Sequence, residues 1–194
     1  MGGSYQGMLA LLRELVGCPT LENLLVAALE GAMRLIPGAQ AGSVLLRQEN
    51  AYRFVAMRGH EMPLPGYTLN LQDELRWYGG SLEEALSGWP RALQIQAERS
   101  GLLPRDRQTL QGMRWLLKIP IPLQGRVEAW INLDRFEASP FPPEALPLAR
   151  ELALSLGVVL QTIKERQNTQ ARLEREERLE STNHLTQIRH CSYV

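Results

Sequence analysis

An uninterrupted helical pattern begins near Glu144 and places the strongest constraint on the fold of this 194-residue chain. Over about 40 residues its only helix breaker is Pro147, which suits a first helical turn. A helix of that length spans about 60 Å at about 1.5 Å per residue, which exceeds the width of a domain of this size. The sequence therefore predicts a helix that packs on a domain at one end and protrudes at the other.

The two halves of this helix differ in composition. Leu152, Leu156, Val159 and Ile163 recur at spacings of four and three, whereas polar residues dominate after Lys164. Because a solitary helix is marginally stable in water, we expect a homodimer that forms in parallel through the C-terminal helix. The same seam would then continue through polar residues, at Arg166, Gln170 and Glu177. The alternative is a solvated helix that belongs to a larger protein.

Two β-hairpins are predicted before this helix, each from two β-rich segments that flank a short polar turn. The segments are 43–47 with 52–57 and 115–123 with 126–134. Pro120 and Pro122 cannot donate ladder hydrogen bonds, so we expect their strand to lie at a sheet edge or to be bulged.

Helices are predicted at 6–16 and 21–36, the second with Thr20 as its N-cap and Pro37 as its stop. The middle of the chain, 61–114, is broken repeatedly by proline and glycine. It carries a capping signal for a short helix at 81–86 and a weaker helical pattern at 106–111. Long irregular segments in compact domains are often functional.

Composition argues against several classes of protein. Basic and acidic residues both number 21, so the net charge is zero and no basic face favours nucleic acid. Cys18 and Cys191 lie near opposite ends of the chain, which indicates neither a disulfide framework nor a zinc site. The apolar runs fall short of the roughly 18 residues that a transmembrane helix needs. We therefore expect a cytoplasmic protein with no membrane or nucleic-acid partner.

The order of helix, hairpin, irregular middle, hairpin and long helix resembles the GAF family of small-molecule sensor domains. The match is carried by LIPGAQAGSVLL (35–46), FVAMRGH (54–60), KIPIPL (118–123), the strand at 126–135 and FPPE (141–144). The resemblance implies an α/β (α+β) fold: a central antiparallel sheet with the N- and C-terminal helices packed on one face, followed by a long protruding helix. It divides the chain into an N-terminal helix (1–19), a GAF-like sensor domain (20–163) and a signalling helix (164–194).

A second resemblance lies at the C-terminus. Residues 181–188 are similar to the segment that opens a GGDEF diguanylate cyclase domain, which usually reads Asp-x-Leu-Thr-Gly-Leu. Leu185 and Thr186 fit that pattern, whereas Asn183 replaces the acid and Gln187 the glycine. The chain contains no cyclase domain, so this resemblance implies only an output domain of that kind.

The GAF resemblance implies a ligand pocket on the sheet face that the irregular middle covers. By alternation, Trp130 and Asn132 point away from an apolar set, which consists of Val127, Ala129, Ile131 and Leu133. If that set faces the helices, Trp130 and Asn132 face the pocket, with His60, Trp77 and Tyr78 as companions. Alternatively, the aromatic rings fill the core, His60 caps a strand and Asn132 satisfies the hairpin edge.

No catalytic or cofactor-binding pattern is found. Bilin attachment and methionine sulfoxide reduction both need a cysteine thiol, and residues 20–165 contain no cysteine. Leu133 follows Asn132 where the cyclic-nucleotide-binding pattern has a lysine. The three histidines are scattered, which indicates no metal site. We expect a non-enzymatic sensor that relays the state of a small molecule, whose identity is unknown, to an output domain. The alternatives are a ligand-free dimerisation and relay module and a methionine sulfoxide reductase-like enzyme.

Overall fold

A computed structural model describes residues 2–60, 67–95 and 112–191, with the side chains of 6–60, 67–95 and 112–179. In chain order the elements are α1 (Gly2–Val16), α2 (Leu21–Leu35), β1 (Ala41–Gln48), β2 (Ala51–Arg58), β3 (Thr68–Asn70), α3 (Leu71–Tyr78), α4 (Leu82–Leu86), β4 (Arg91–Gln94), β5 (Trp115–Leu123), β6 (Arg126–Arg135) and α5 (Ala145–Cys191). The helices and hairpins that were predicted within the described residues form, although α1 begins four residues earlier than expected. The predicted helix at 106–111 lies outside the described residues.

The described strands form one six-stranded sheet in the order β3-β2-β1-β6-β5-β4. Every neighbouring pair is antiparallel, and β1 and β6 lie at the centre. The turn between β5 and β6 has positive φ at both Gln124 and Gly125, which matches the right-handed twist of a two-residue hairpin. The fold is therefore the predicted mixed class, with a central antiparallel sheet.

The prediction for the proline-containing strand is half right. β5 is not an edge strand, because β4 pairs with its first four residues, up to Arg91 opposite Lys118. Pro120 and Pro122 lie beyond that last pair, so the N–H groups that they lack are not needed for hydrogen bonds to β4. The expected bulge is present, since the β5–β6 register shifts between Ile121 and Pro122.

One face of the sheet packs against α1, α2 and the first half of α5. Its core is aliphatic and includes Leu25, Leu29, Ile119, Ile131 and Leu156. The α1 residues Met8, Leu11 and Leu15 are buried in this same core, so the N-terminal helix packs as part of the domain. Thr20 caps α2 as predicted, because its side chain accepts a hydrogen bond from the backbone N–H of Asn23.

The apolar stripe of α5 is used by the sheet. Leu152, Leu156, Val159 and Ile163 are all buried in the core of their own chain. The predicted dimer seam is therefore wrong over this half of the helix, because these side chains face the sheet. The exposed apolar residues on the same half are others, including Leu154 and Val158.

Within the described residues, one helix is long and apolar enough to meet the length and composition criteria for a membrane span. It is the 35-residue part of α5 from Ala145 to Leu179, with a mean hydropathy of 1.4 in its most apolar window. This apolar window was not expected from the sequence. The buried leucines that face the sheet account for much of its hydropathy.

After Ile163 the helix leaves the sheet. All side chains from 165 to 179 are exposed, and the whole helix of 47 residues is about 70 Å long. The predicted change from a packed to a protruding helix therefore occurs at the point where the composition changes.

Candidate functional site

The face of the sheet opposite the helical layer carries a second buried cluster, here called the pocket-side cluster. It consists of Leu45, Tyr52, Phe54, Tyr78, Ala85, Val127 and Trp130. The helix α3 and the short helix α4, which begins with the predicted capping box at Ser81 and Glu84, supply Tyr78 and Ala85. The irregular middle of the chain therefore covers this face, as the sequence predicted.

Trp130 lies at the centre of the pocket-side cluster and is 1% exposed. Its ring meets Tyr52 edge-on at 6.2 Å and Tyr78 at 5.3 Å between centroids. Its indole N–H is buried without a hydrogen bond of normal geometry. Trp130 faces the predicted side of the sheet, and the space around its ring is filled by the chain's own aromatic residues.

Val127 was predicted to face the helices, but it faces the opposite side of the sheet. It belongs to the pocket-side cluster, and its carbonyl oxygen accepts a 2.7 Å hydrogen bond from the Tyr52 hydroxyl. The bulge beside Pro122 explains the change, because a one-residue shift in register sends a side chain to the other face. Glu128 accordingly contacts Lys164 of α5 on the helical side.

The two neighbouring aromatic residues predicted as pocket companions, Trp77 and Tyr78, both lie in α3 but have different environments. Tyr78 is fully buried, and its hydroxyl donates a 2.6 Å hydrogen bond to the carbonyl oxygen of Trp89. Burial raises the pKa of Tyr78 to about 12, because the phenolate would lose its hydration. Trp77 is only partly buried and is not part of the pocket-side cluster.

His60 lies at the other end of this face, where β2 ends. Its Nε2 is 2.7 Å from Oδ2 of Asp134, and both side chains are nearly inaccessible to solvent. The ring also meets Phe136 edge-on at 6.2 Å. His60 therefore pairs with a carboxylate on the neighbouring end of β6, a partner that sequence reasoning missed.

Asn132 lies between these two ends, directly opposite Ser43 of β1 and Lys118 of β5. Its side-chain amide donates a 3.2 Å hydrogen bond to the Ser43 hydroxyl. The other amide atom, Oδ1, is buried without a partner. Because a buried polar atom is normally satisfied, this oxygen has the capacity to accept a further hydrogen bond.

A buried ion pair on the same face was not predicted. The ammonium group of Lys118 contacts a carboxylate oxygen of Glu74 in α3, and each residue is 1% exposed. The Lys118 nitrogen also lies 4.9 Å from the centroid of the Trp130 ring, a cation–π contact. One signal was available in the sequence: Lys118 is the only charged residue in the nine-residue strand β5.

The remaining candidates for chemistry are weak. Among the described side chains, those of 6–60, 67–95 and 112–179, no three metal-ligating groups of the His, Cys, Asp or Glu type converge. A groove of about 380 Å³ lies on the helical side between Pro19 and the protruding helix, but exposed Arg, Gln and Glu side chains line it. Burial and the neighbouring Glu14 raise the pKa of the Cys18 thiol, which reduces the thiolate needed by a nucleophile.

The face therefore carries four of the five predicted residues. Trp130 and Tyr78 fill the aromatic end, His60 lies at the other end beside Asp134, and Asn132 lies between the two ends with Ser43 as its partner. Trp77 lies outside the pocket-side cluster. The arrangement offers a buried cation, a buried carboxylate and an unsatisfied amide oxygen within one sheet face.

Comparisons with known proteins support the fold. No protein-family model matches this sequence, and no curated protein is significantly similar to it. The wild-type phytochrome photosensory core module of Stigmatella aurantiaca superimposes with a TM-score of 0.68 at 13% identity, over 90% of this chain and 39% of that one. A bacteriophytochrome of the photosynthetic bacterium R. palustris gives 0.66 at 14% identity, over 86% and 38%.

The chromophore-binding domain of the Stigmatella aurantiaca bacteriophytochrome, solved as a mutant in the Pr state, gives a TM-score of 0.61 at 14% identity, over 82% of this chain and 60% of that one. The chain thus spans less than two thirds of each of these structures. Phytochrome photosensory cores contain GAF domains, so the GAF-like fold predicted from the sequence is confirmed. At this level of identity the likeness shows the fold alone.

Proposed function

We propose that this chain is a GAF-type regulatory sensor, which binds a small molecule and relays its state through a dimeric C-terminal helix to an output domain. The observation that carries the proposal is the continuity of α5. Its first half is part of the domain core, residues 165–179 form a solvent-exposed rod, and the helix is not interrupted between them. A change in the sheet would therefore reach the far end of the rod without crossing a flexible linker.

The contact between the sheet and α5 is close enough to transmit such a change. At Gly157 a Cβ atom would lie 2.7 Å from the carbonyl oxygen of Pro122, so only glycine allows this approach of helix to strand. Pro122 belongs to β5, the strand that also carries Lys118. The pocket-side face and the rod are thus joined through one strand.

The proposed dimer uses a different seam from the one that the sequence indicated. Val158 is 68% exposed and Leu179 is 60% exposed, and they are 21 residues, or three heptads, apart on α5. With Leu154 they define a seam on the face that the sheet leaves free. The positions between them are polar: Gln161, Glu165, Asn168, Arg172 and Arg175. Such a polar seam favours a weak, adjustable dimer, which suits a relay.

Light scattering of the chain after size exclusion, over a range of concentrations, tests the dimer. We expect a wild-type dimer that shifts towards monomer in Val158→Gln/Leu179→Gln. Leu173→Gln is the matched control, because Leu173 is exposed but lies off this seam. Truncation after about residue 165 should also weaken association. A wild-type chain that stays monomeric at high concentration, or a truncated chain that is equally dimeric, would refute the proposed seam.

The second candidate function is a ligand-free dimerisation and relay module. The packing of Trp130, Tyr52 and Tyr78 favours it, because the aromatic end of the face holds its own side chains where a ligand could lie. A thermal-shift screen against a broad panel of small metabolites separates the two. Saturable stabilisation by one chemical class supports the sensor, and no stabilisation across the panel supports the relay module.

The output domain, cellular location and other partners are proposals from the sequence. The resemblance of residues 181–188 to the opening of a GGDEF domain favours a diguanylate cyclase or a related output domain in the cytoplasm. The side chains of residues 181–188 lie outside the described part of the chain. The balanced charge gives no reason to propose nucleic acid. Fusing a diguanylate cyclase domain after α5 tests the relay, since cyclase output should change when α5 is shifted by inserted residues.

A further inference from the structure

We propose that Lys118 is the centre of an anion subsite, which the carboxylate of Glu74 fills in the described state and which a small carboxylate ligand fills in the alternative state. This inference rests on the proposed sensor function and names its ligand class. In the described state the chain supplies its own substitute for the ligand.

The burial of the pair is the first argument. Glu74 and Lys118 are each 1% exposed, and Lys118 lies beside Trp130, so both charges have lost nearly all their hydration. Such pairs are often no more stabilising than apolar residues of similar volume, because desolvation offsets the attraction. The rest of β5 is uncharged, so an apolar residue at position 118 would pack there equally well. Stability alone therefore does not explain why Lys118 is present.

The attachment of the two charges is the second argument. Lys118 belongs to β5, which is held between β4 and β6. Glu74 belongs to α3, an eight-residue helix that follows the three-residue edge strand β3 and ends at Gly79 with a left-handed backbone. The cation is therefore fixed in the sheet, whereas the carboxylate lies on a short covering element that can move away from it.

Asn132 is an independent indication of a ligand at this place. It lies directly opposite Lys118 in the β5–β6 register. An amide has two polar ends, and Ser43 satisfies one of them while the other is buried without a partner. A carboxylic acid that also carries a hydrogen-bonding group would occupy both Lys118 and the free end of Asn132, over the flat surface of Trp130.

The exchange explains how binding changes the structure. An incoming carboxylate replaces that of Glu74 on Lys118, and Glu74 gains water in return. Because the ligand binds only after Glu74 has left, it favours the state in which α3 is displaced. The displacement also removes Tyr78, which α3 carries, from Trp130.

Chemical rescue tests the subsite. Glu74→Ala leaves Lys118 buried, unpaired and next to a carboxylate-sized space. We expect sodium acetate or formate to raise the melting temperature of this variant saturably above that in sodium chloride of equal ionic strength, by about 3–5 °C at ten times the dissociation constant. The wild-type protein should respond much less, because Glu74 competes at a high effective concentration.

Two variants serve as controls. Glu84→Ala removes an exposed carboxylate that pairs with Arg91, and it should show no difference between acetate and chloride. Glu74→Ala/Lys118→Met should lose the rescue, because the cation is gone. If Glu74→Ala does not fold in sodium chloride, the yield of folded protein on refolding in sodium acetate of equal ionic strength is the alternative readout, and acetate should raise it.

Equal melting temperatures in acetate and chloride for the folded variants would overturn the carboxylate subsite. Failure of the sensor proposal would look different. In that case acetate would stabilise Glu74→Ala, but hydrogen exchange in the α5 segment around Gly157 and the fraction of dimer would stay unchanged.

Discussion

The two faces of the sheet are built from the same six strands, but they differ in chemistry. The helical face is an aliphatic core that α1, α2 and α5 cover. The pocket-side face holds the aromatic cluster and all four buried polar or charged residues of the described chain, namely Ser43, Glu74, Lys118 and Asp134. One face is built in the way that gives stability, and the other contains groups that are costly to bury.

This difference indicates where function lies. Polar groups retained in a core without a clear gain in stability are candidates for recognition, whereas aliphatic packing is sufficient to hold the fold. The pocket-side face is also the one that the short elements α3 and α4 cover, so the displacement proposed for α3 would expose this face. Substitutions on the two faces should therefore have different consequences.

Among truncations of apolar side chains, the largest expected loss of stability lies on the helical face. Leu152→Ala should lower the free energy of unfolding by about 2–5 kcal/mol, because Leu152 is fully buried and its truncation leaves a cavity. Leu173→Ala, on the same helix and off the proposed dimer seam, is the matched control. Leu173 is 46% exposed, so its change should stay within about 0.5 kcal/mol in chemical denaturation. Equal losses at the two positions would mean that α5 does not pack as described.

On the pocket-side face, Trp130→Phe should lower the free energy of unfolding by about 1–3 kcal/mol, because the smaller ring leaves a gap beside Tyr78. No well-formed hydrogen bond is lost, since the indole N–H makes none. Trp89→Phe is the control for the same chemical change at an exposed site. Chemical denaturation that shows no difference between the two would argue that Trp130 is loosely packed.

Tyr78→Phe should have a smaller effect, about 1 kcal/mol, from loss of the hydrogen bond to the Trp89 carbonyl oxygen. The substitution should also change how the free energy of unfolding depends on pH in alkaline solution. The pKa of Tyr78 is raised from 10.0 to about 12, so between these values the folded state keeps a proton that the unfolded state releases. Unfolding free energy therefore falls as pH rises through that window, and Tyr78→Phe should flatten the fall. An unchanged slope would show that Tyr78 is not the group responsible.

The smallest effect is expected at the start of α4. The pKa of the exposed Glu84 carboxyl is lowered mainly by the hydrogen bond that it accepts from the backbone N–H of Ser81. The positive charge of Arg91 lowers it further. This contribution to stability is present above the ordinary pKa of 4.5 and is lost as pH falls through the lowered value. Glu84→Gln should therefore reduce stability slightly at pH 7 and not at strongly acidic pH. Glu83→Gln, one residue earlier, is the control for urea denaturation at both pH values.

Local patterns in the sequence predicted the regular half of the molecule. Thr20 marked the start of α2, Gln124-Gly125 marked the turn of the second hairpin, and the change at Lys164 marked the end of packing. The face of Trp130 followed from alternation. Val127 did not, because alternation assumes an unbroken register, and the register shifts between Val127, which pairs with Pro122, and Ala129, which pairs with Ile121.

The polar contacts of the site could not be predicted, because they join distant parts of the chain. Glu74 and Lys118 are 44 residues apart, and His60 and Asp134 are 74 apart. Helix α3 was missed as well, although Asn70 caps it through the backbone N–H of Asp73. A lysine in an apolar strand was the one local signal, and nothing in the sequence alone identifies its partner.

The central claim is that the Glu74–Lys118 pair is kept on the pocket-side face for recognition and not for stability. The most direct measurement is the free energy of unfolding of Glu74→Leu, Lys118→Met and the double variant. We predict that each single change lowers it by about 3–5 kcal/mol, because one buried charge is left unpaired, and that the double variant is as stable as the wild type or more so. A double variant that loses the sum of the two single effects would contradict the account.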